Sequence, residues 1–463
     1  MKRLLELECR EIVLVVALSM FMIQLDSAVL TIALPVIARD FGVSVVALSL
    51  SITIYLTMLV AVLPVSGWAA DRFGARRVFL LATVCFAAFS LCCALSPSFW
   101  LFILSRAFQG ASASLLVSVG RLLLLKRTSK DELVDALAIT AMPMLVAPTV
   151  GPSLGGFIVD YARWEYIFLL NLPFALVLFL LTRRTVPHLE PDRSRKLDWS
   201  GLILLSSALI SLLTGIDRLA SGIARPLPWM LIAAGAALGW LTLRHLARHR
   251  DPIVALDAMR VPAFRSAAIG AGAYVRLPAR AILFALPLML QIGFGYSPFM
   301  AGLMLMVLNG GDLVSKPWIK PAFDRFGFRN TVIAGSAMGL VGMVAMALMG
   351  QGQAALWVLI VAMVLAGISR SLVYTAMGTV TFSSLSEDTV TSGNVLASIS
   401  MQLFNAVAIS VTALALGTAA QINGYTEPRL MDFRIAIGVI VAIGLVSTSL
   451  VWRHLPRELR ELH

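Results

Sequence analysis

Gly67-Trp68-Ala69-Ala70-Asp71-Arg72-Phe73-Gly74-Ala75-Arg76-Arg77 and, 253 positions later, Asp324-Arg325-Phe326-Gly327-Phe328-Arg329 share one Asp-Arg-Phe-Gly pattern. Each copy follows an apolar stretch long enough to cross a bilayer, and each stands in a short basic loop. Copies in the same orientation are parallel repeats, related by an axis along the membrane normal, one of the two symmetry classes of secondary transporters. The residues suit a loop at a membrane surface. Gly67 lets two helices approach, Asp71 can accept from a helix N-terminus or an arginine, and Arg72, Arg76 and Arg77 hold the loop at an anionic leaflet.

Composition agrees with a lipid solvent. The 463 residues are 59% hydrophobic and 13% charged, with 37 Lys+Arg against 25 Asp+Glu, a net charge of +12. Soluble chains average about 25% charged residues, so an ordinary globular enzyme is excluded. Nucleic-acid binding would need basic residues clustered with aromatics on one face, whereas here they lie in short runs between apolar stretches.

Spanning hydrocarbon takes about 20 mostly apolar residues. Fourteen stretches qualify: 12–37, 45–70, 78–95, 99–125, 136–159, 164–182, 200–216, 227–243, 264–292, 298–319, 331–350, 354–378, 393–417 and 433–452. The loops on the side of the repeated pattern hold 25 of the 37 Lys and Arg residues, the opposite loops six and the spans six. That asymmetry predicts both termini on the cytoplasmic side. The two long charged loops, 183–198 and 244–264, divide the chain into a six-span half (1–196), two additional spans with a linker (197–263) and a second six-span half (264–463). The additional spans read as peripheral. The N-terminal apolar run lacks a small-residue cleavage site and reads as a retained helix. Cys9, Cys85, Cys92 and Cys93 make no Cys-x-x-Cys pair and read as packing residues.

Four patterns together resemble the major facilitator superfamily. The loop from Gly67 to Arg77 resembles its signature loop, and Asp324, Arg325, Gly327 and Arg329 repeat it. Arg106-Ala107-Phe108-Gln109-Gly110 resembles its fourth-helix motif, in which a buried arginine is tied to proton coupling. Gly151-Pro152-Ser153-Leu154-Gly155-Gly156 is similar to its antiporter motif, with Ala147 in place of an earlier glycine. Leu25-Asp26 through Ala33-Leu34-Pro35 resembles the first helix of its fourteen-helix drug:proton antiporters, although Ala28 and Thr31 depart from the usual Thr and Asn. The resemblance implies an all-α integral membrane protein of two pseudo-symmetric six-helix halves plus two extra helices, a multi-pass protein of a bacterial inner membrane. It further implies proton-coupled efflux of drugs or other small molecules by alternating access, working as a monomer without a cofactor, its partners being substrate, protons and lipid.

In that fold the first and fourth helices of each half line the central cavity. Asp26, Arg106, Arg276, Arg280 and Arg370 all fall on those spans. An arginine at mid-span costs about 2.5–3.5 kcal/mol on insertion scales, so it needs a polar cavity or a partner. Depth from the outer surface, about 17 Å for Asp26 and 11 Å for Arg106 at 1.5 Å per residue, allows the two to pair. Asp26 is the expected proton carrier and Arg106 its partner, with Gln109, Arg276, Arg280 and Arg370 as cavity residues. Asp312 and Lys316, four residues apart, are placed to neutralise each other. Four cavity arginines against one aspartate point equally to an alternative cargo, an organic anion or an anionic metal chelate. A channel is the alternative of a different class. His188, His245, His249, His454 and His463 all lie outside the spans, so no intramembrane metal site is expected, and no phosphate-binding loop or nucleophile elbow suggests a pump or an enzyme.

Overall fold

In hydrocarbon every backbone N–H and C=O must be paired within the protein, which leaves helices as the solution for long apolar stretches. The computed structural model describes residues 10–127, 130–187, 197–219, 225–249, 252–350, 353–383, 385, 387–424 and 428–454. Fourteen helices follow in order: α1 (Arg10–Asp40), α2 (Leu50–Phe73), α3 (Ala75–Ala94), α4 (Phe99–Arg127), α5 (Lys130–Tyr161), α6 (Asn171–Thr185), α7 (Trp199–Leu219), α8 (Pro226–Arg248), α9 (Leu277–Leu288), α10 (Pro298–Phe326), α11 (Phe328–Leu348), α12 (Gln353–Ser383), α13 (Glu387–Ile422) and α14 (Leu430–His454). Short helical turns extend α2 and α6 at their starts. Each of the fourteen apolar stretches falls on helical structure, the ninth in several pieces. Thirteen positions hold a described helix long and apolar enough to cross a membrane. The remaining position is filled by the 32-residue α5, part of whose side chains lie outside the described residues.

The ninth span differs from the unbroken stretch expected. It runs as Pro262–Ala268, Ala271–Tyr274 and then α9, closed by a π turn at Met289–Gly293. Gly270, at φ −81° and ψ −135°, leaves the helical region, and Pro278 in the first turn of α9 lacks the N–H that a continuous ladder would need. Arg276 therefore stands at the head of a half-helix rather than in mid-helix.

The repeat is visible in three dimensions. Within the first half α2 and α3 pack on α4, α6 packs on α3, and α1 on α5; α10 and α11 pack on α12, α14 on α11, and α9 on α13 in the same way. Gly74 and Gly327 break the chain after α2 and α10 with φ of +88° and +77°, a left-handed conformation that other residues adopt at a cost. Arg76 donates to the carbonyl of Arg183 at the end of the first half's last helix. Arg329 donates to the carbonyl of Trp452 at the end of the second half's last helix, at 3.3 Å. The halves meet reciprocally, α5 on α10 and α2 on α13.

Small residues set the close approaches. A Cβ on Gly110 of α4 would stand 2.2 Å from the Tyr55 carbonyl of α2, and Gly151 and Gly155 of α5 press on Ala28 and Val29 of α1. Gly156 meets the Pro298 carbonyl and Gly302 the Pro152 carbonyl, at 2.3 and 2.2 Å for a Cβ, so the α5–α10 seam is tight from both sides. Across it Phe299 N–H donates to Asp160 (2.9 Å) and Asn309 Nδ2 to the Pro148 carbonyl (2.6 Å). Gly67 departs from the expectation of a close approach: a Cβ there meets nothing within 4 Å. In this conformation α2 and α4 make their contact higher up, at Gly110.

The seventh and eighth spans stand at the periphery as expected, 28% and 17% buried against 33% or more for the other described spans. α7 packs on both α2 and α13, covering their seam, and Ser206 Oγ donates to the Ala61 carbonyl at 3.1 Å. Its face toward the bundle carries the fully buried Leu213. α8 packs on α7, held close because Gly215 and Gly235 each face the partner helix. Asp198 starts α7 by accepting from Gly201 N–H at 2.8 Å, with Ile253 N–H on its other oxygen at 3.3 Å. Burial pushes this carboxyl up, but those two N–H groups and His245 outweigh it and hold the group below its ordinary value.

The contrast between two glycines is testable. Gly110→Ala forces a methyl into a backbone carbonyl and is expected to cost about 1–3 kcal/mol despite alanine's better helix propensity. Gly67→Ala should leave stability unchanged. Thermal unfolding of the two variants in detergent checks both, and an equal effect at the two positions would contradict the packing described.

Candidate functional site

A helix that places an ionisable group in lipid must turn it inward and find it partners. α1 does so with Asp26, whose side chain is fully buried, and α4 does so with Arg106. Arg106 Nη1 donates to Asp26 Oδ2 at 2.7 Å and to Gln109 Oε1 at 2.6 Å. Gln109 Nε2 and Asn171 Nδ2 both donate to Asp26 Oδ1, at 2.9 and 2.7 Å. The same two amide nitrogens lie 3.0 and 2.8 Å from Ser90 Oγ. The guanidinium is covered on one side by the Tyr55 ring, 4.4 Å from its centroid, with Phe168 at 5.8 Å. Arg106 Nε, buried, has no hydrogen-bond partner.

These residues come from α1, α2, α3, α4 and α6, with Phe168 from the turn before α6. All belong to one half. The cluster thus faces the interior of the first half rather than the seam between halves, where cavity-lining helices would present it. The Asp26 carboxylate accepts three hydrogen bonds, one on Oδ2 and two on Oδ1, and forms a buried ion pair with Arg106.

The second half holds two further arrangements. Arg370 on α12 donates through Nη2 to Asp312 Oδ2 (2.7 Å) and to Asn309 Oδ1 (2.9 Å) of α10. Lys316 Nζ lies 3.2 Å from the other oxygen of Asp312. Asp312 therefore answers Lys316, as its spacing implied, and Arg370 as well. Ser371 Oγ donates to the Asp312 carbonyl at 3.0 Å and ties the same two helices.

Arg276 and Arg280 are different. Both line a small cavity of about 10 Å³, space for about one water, with Tyr374 of α12 and Ser400, Phe404 and Asn405 of α13. Neither makes an ion pair with a described carboxylate, and Arg276 Nε is buried without a hydrogen-bond partner. The Arg276 guanidinium lies 5.8 Å from the Tyr374 ring centroid. Arg276 caps the start of α9 and Arg280 follows one turn later, their backbone N–H groups donating to the Ala273 and Arg276 carbonyls at 3.3 and 3.2 Å.

Of the residues singled out in the sequence, Asp26, Arg106 and Gln109 thus come together in one cluster and Arg276 and Arg280 in another, while Arg370, held by Asp312 and Asn309, lies within electrostatic reach of Arg280. Gly151, Pro152, Gly155 and Gly156 lie in the packing of α5 against α1 and α10. Asp71, Arg72, Gly74, Arg76 and Arg77, with Asp324, Arg325, Gly327 and Arg329, lie at the paired turns after α2 and α10. Sequence reading misses Ser90 and Asn171, single polar residues in apolar runs, and Tyr55, which nothing local distinguishes. It also assigns no metal site, whereas the ligand atoms of Asp198, His245 and His249 lie within 4.8 Å of one another at the ends of α7 and α8.

Comparison with known proteins places this geometry. The pattern of the Major Facilitator Superfamily matches residues 16–408 and 268–463. The chain is 32% identical over 409 residues to a protein of Klebsiella pneumoniae named multidrug resistance protein MdtD, covering 88% of this chain and 86% of the relative. It is 33% identical over 414 residues to the protein of that name from Salmonella typhi, covering 88% and 86%. Among solved structures it superposes on a D-xylose-proton symporter with a TM-score of 0.67 at 15% identity, over 96% of this chain and 98% of that one. A bacterial homologue of the human lysosomal transporter Spinster gives 0.65 at 15% identity, over 96% of both chains. The solved structures share the fold; the sequence matches share the family, and this chain belongs to the major facilitator superfamily of membrane transporters.

Proposed function

We propose that this transporter is a proton-coupled antiporter of a bacterial inner membrane that expels small molecules, drugs among them, by alternating access. The observation that carries the reading is the buried Asp26–Arg106–Gln109–Asn171 cluster. Its one titratable acid bonds helices α1, α4 and α6 together, so loading a proton removes a charge from the middle of the half and frees Arg106. A proton-dependent change in how those helices pack is what coupling requires. The names of the relatives support drug export, and the excess of Lys and Arg on the face of the two Asp-Arg-Phe-Gly turns supports a cytoplasmic face there. The six-helix halves, with boundaries near 196 and 264, are the rocking bodies, and α5 against α10 is the seam that opens.

Removing one partner of a buried pair strands the other, at a cost of about 3–5 kcal/mol. Asp26→Asn keeps one acceptor oxygen but leaves Arg106 without its counter-charge and turns an NH2 toward a former donor, so it is expected to be less stable than the parent by up to about that amount. In proteoliposomes the variant that still inserts is expected to lose substrate-driven proton movement altogether. Proton coupling retained in Asp26→Asn would overturn the reading. Accumulation against a gradient separates an antiporter from a channel, which gives flux alone.

A second reading of the cargo rests on Arg276 and Arg280. Two arginines without carboxylate partners at a half-helix N-terminus are an anion site, suited to an organic carboxylate or an anionic chelate. Each charge-assisted hydrogen bond is worth about 1.5–3 kcal/mol, roughly ten- to a hundredfold in affinity. Arg276→Gln and Arg280→Gln are then expected to weaken the response to polycarboxylates by that factor. The check is substrate-induced proton release from the purified protein, screened with polycarboxylates and lipophilic cations side by side. Response to cations alone, unchanged in both variants, would remove this reading.

A further inference from the structure

The ends of α7 and α8 on the face of the Asp-Arg-Phe-Gly turns bring together three metal-ligating side chains. His245 and His249 stand one turn apart on α8, so their rings lie on one face, with centroids 5.0 Å apart and planes tilted by 36°. Asp198 reaches them from the foot of α7, its Oδ1 2.9 Å from His245 Nε2. One ligand atom of each residue lies within 4.8 Å of the other two. We propose that Asp198, His245 and His249 bind one divalent transition-metal ion, Zn²⁺ above all, which staples the α7–α8 hairpin at its base. Two imidazoles and a carboxylate form a donor set that suits zinc and its borderline neighbours rather than calcium or magnesium.

Ligand distances support the assignment. Tetrahedral zinc with bonds of about 2.0–2.2 Å holds its ligand atoms roughly 3.4 Å apart. The Asp198–His245 separation of 2.9 Å needs to open by a few tenths of an ångström. The third ligand needs to close by rotation of His249, which is exposed and sits at the helix end. Asp198 is held in place by Gly201 N–H and Ile253 N–H, the outer contacts that orient a metal-binding carboxylate. A groove lined by Leu204, Leu241, Arg244, Arg248 and both histidines opens onto the site and leaves room for a water as fourth ligand. Arg244 and Arg248 oppose a cation there. Arg244 lies over the Trp240 ring at 5.3 Å, and two neutral imidazoles add no further charge. The repulsion sets a moderate affinity rather than forbidding the site.

Ile253 begins the segment that leads into the second half, and α7 lies across the seam of α2 and α13. The ion would therefore tie the hairpin to the linker beside a moving seam. The experiment uses full-length protein without a polyhistidine tag, titrated with Zn²⁺ by calorimetry and with Co²⁺ by visible absorption. The parent is expected to bind one equivalent and give the intense bands of tetrahedral cobalt. His249→Ala, at an exposed position, should lose at least about tenfold in zinc affinity. His245→Ala should do the same, with thermal unfolding confirming that it is folded. A parent that binds no equivalent, or binding undiminished in both variants, overturns the proposal.

Discussion

Helices in lipid gain nothing from hiding apolar surface against one another, because the tails outside are as apolar as the side chains inside. Association then depends on close backbone approach and on polar groups that have nowhere else to go. Both devices recur here. Glycines at 110, 151, 155, 156 and 302 bring backbones together where a methyl would collide, and the Asp26–Arg106 pair joins helices that no glycine seam unites. Asn171 is informative in this respect: it reaches from α6 to a carboxylate on α1 and lies within hydrogen-bonding distance of a hydroxyl on α3. That one amide gives α6 a polar tie to both α1 and α3 in the middle of the half.

The same constraint bears on the proposed proton coupling. The Asp26 carboxylate is held by three donors, and on that proposal a proton arriving there would weaken them. Polar clusters in water exchange such partners with solvent at little cost. In a dry bundle the lost bonds are felt by every helix that supplied one. The α5 helix is well placed to pass this on, since Gly151 and Gly155 fix it to α1 while Gly156 fixes it to α10 of the other half. One helix thus borders both the helix that carries the acid and the seam between the halves.

Much of this was legible in the sequence. The count and position of the spans followed from apolar length, and the parallel repeat from two copies of Asp-Arg-Phe-Gly, whose glycines take matching left-handed turns. Asp26 and Arg106 stood out because charge is rare at mid-span. What stayed hidden depended on direction around a helix axis. The apolar stretches are hydrophobic on nearly every face, so nothing marks which way Asp26 points, and its turn into the half rather than toward the seam emerges only in three dimensions. The break before α9 needed the coincidence of Gly270 and Pro278 in a run that hydropathy treats as continuous.

Partner assignment also changes the meaning of the charges inside the membrane. By sequence four arginines on cavity helices faced a single aspartate. In the structure Arg106 is balanced by Asp26, and Arg370 by Asp312, which Lys316 shares. Five basic groups still face two acids, so the net excess of three is redistributed rather than reduced. One unit stays with Arg370 and Lys316 around Asp312. The other two belong to Arg276 and Arg280, which line a small cavity and make no ion pair with a described carboxylate. A desolvated guanidinium is held at a cost, and a protein that keeps two together without a partner either admits water to them or leaves the place for an anion that is not part of the chain.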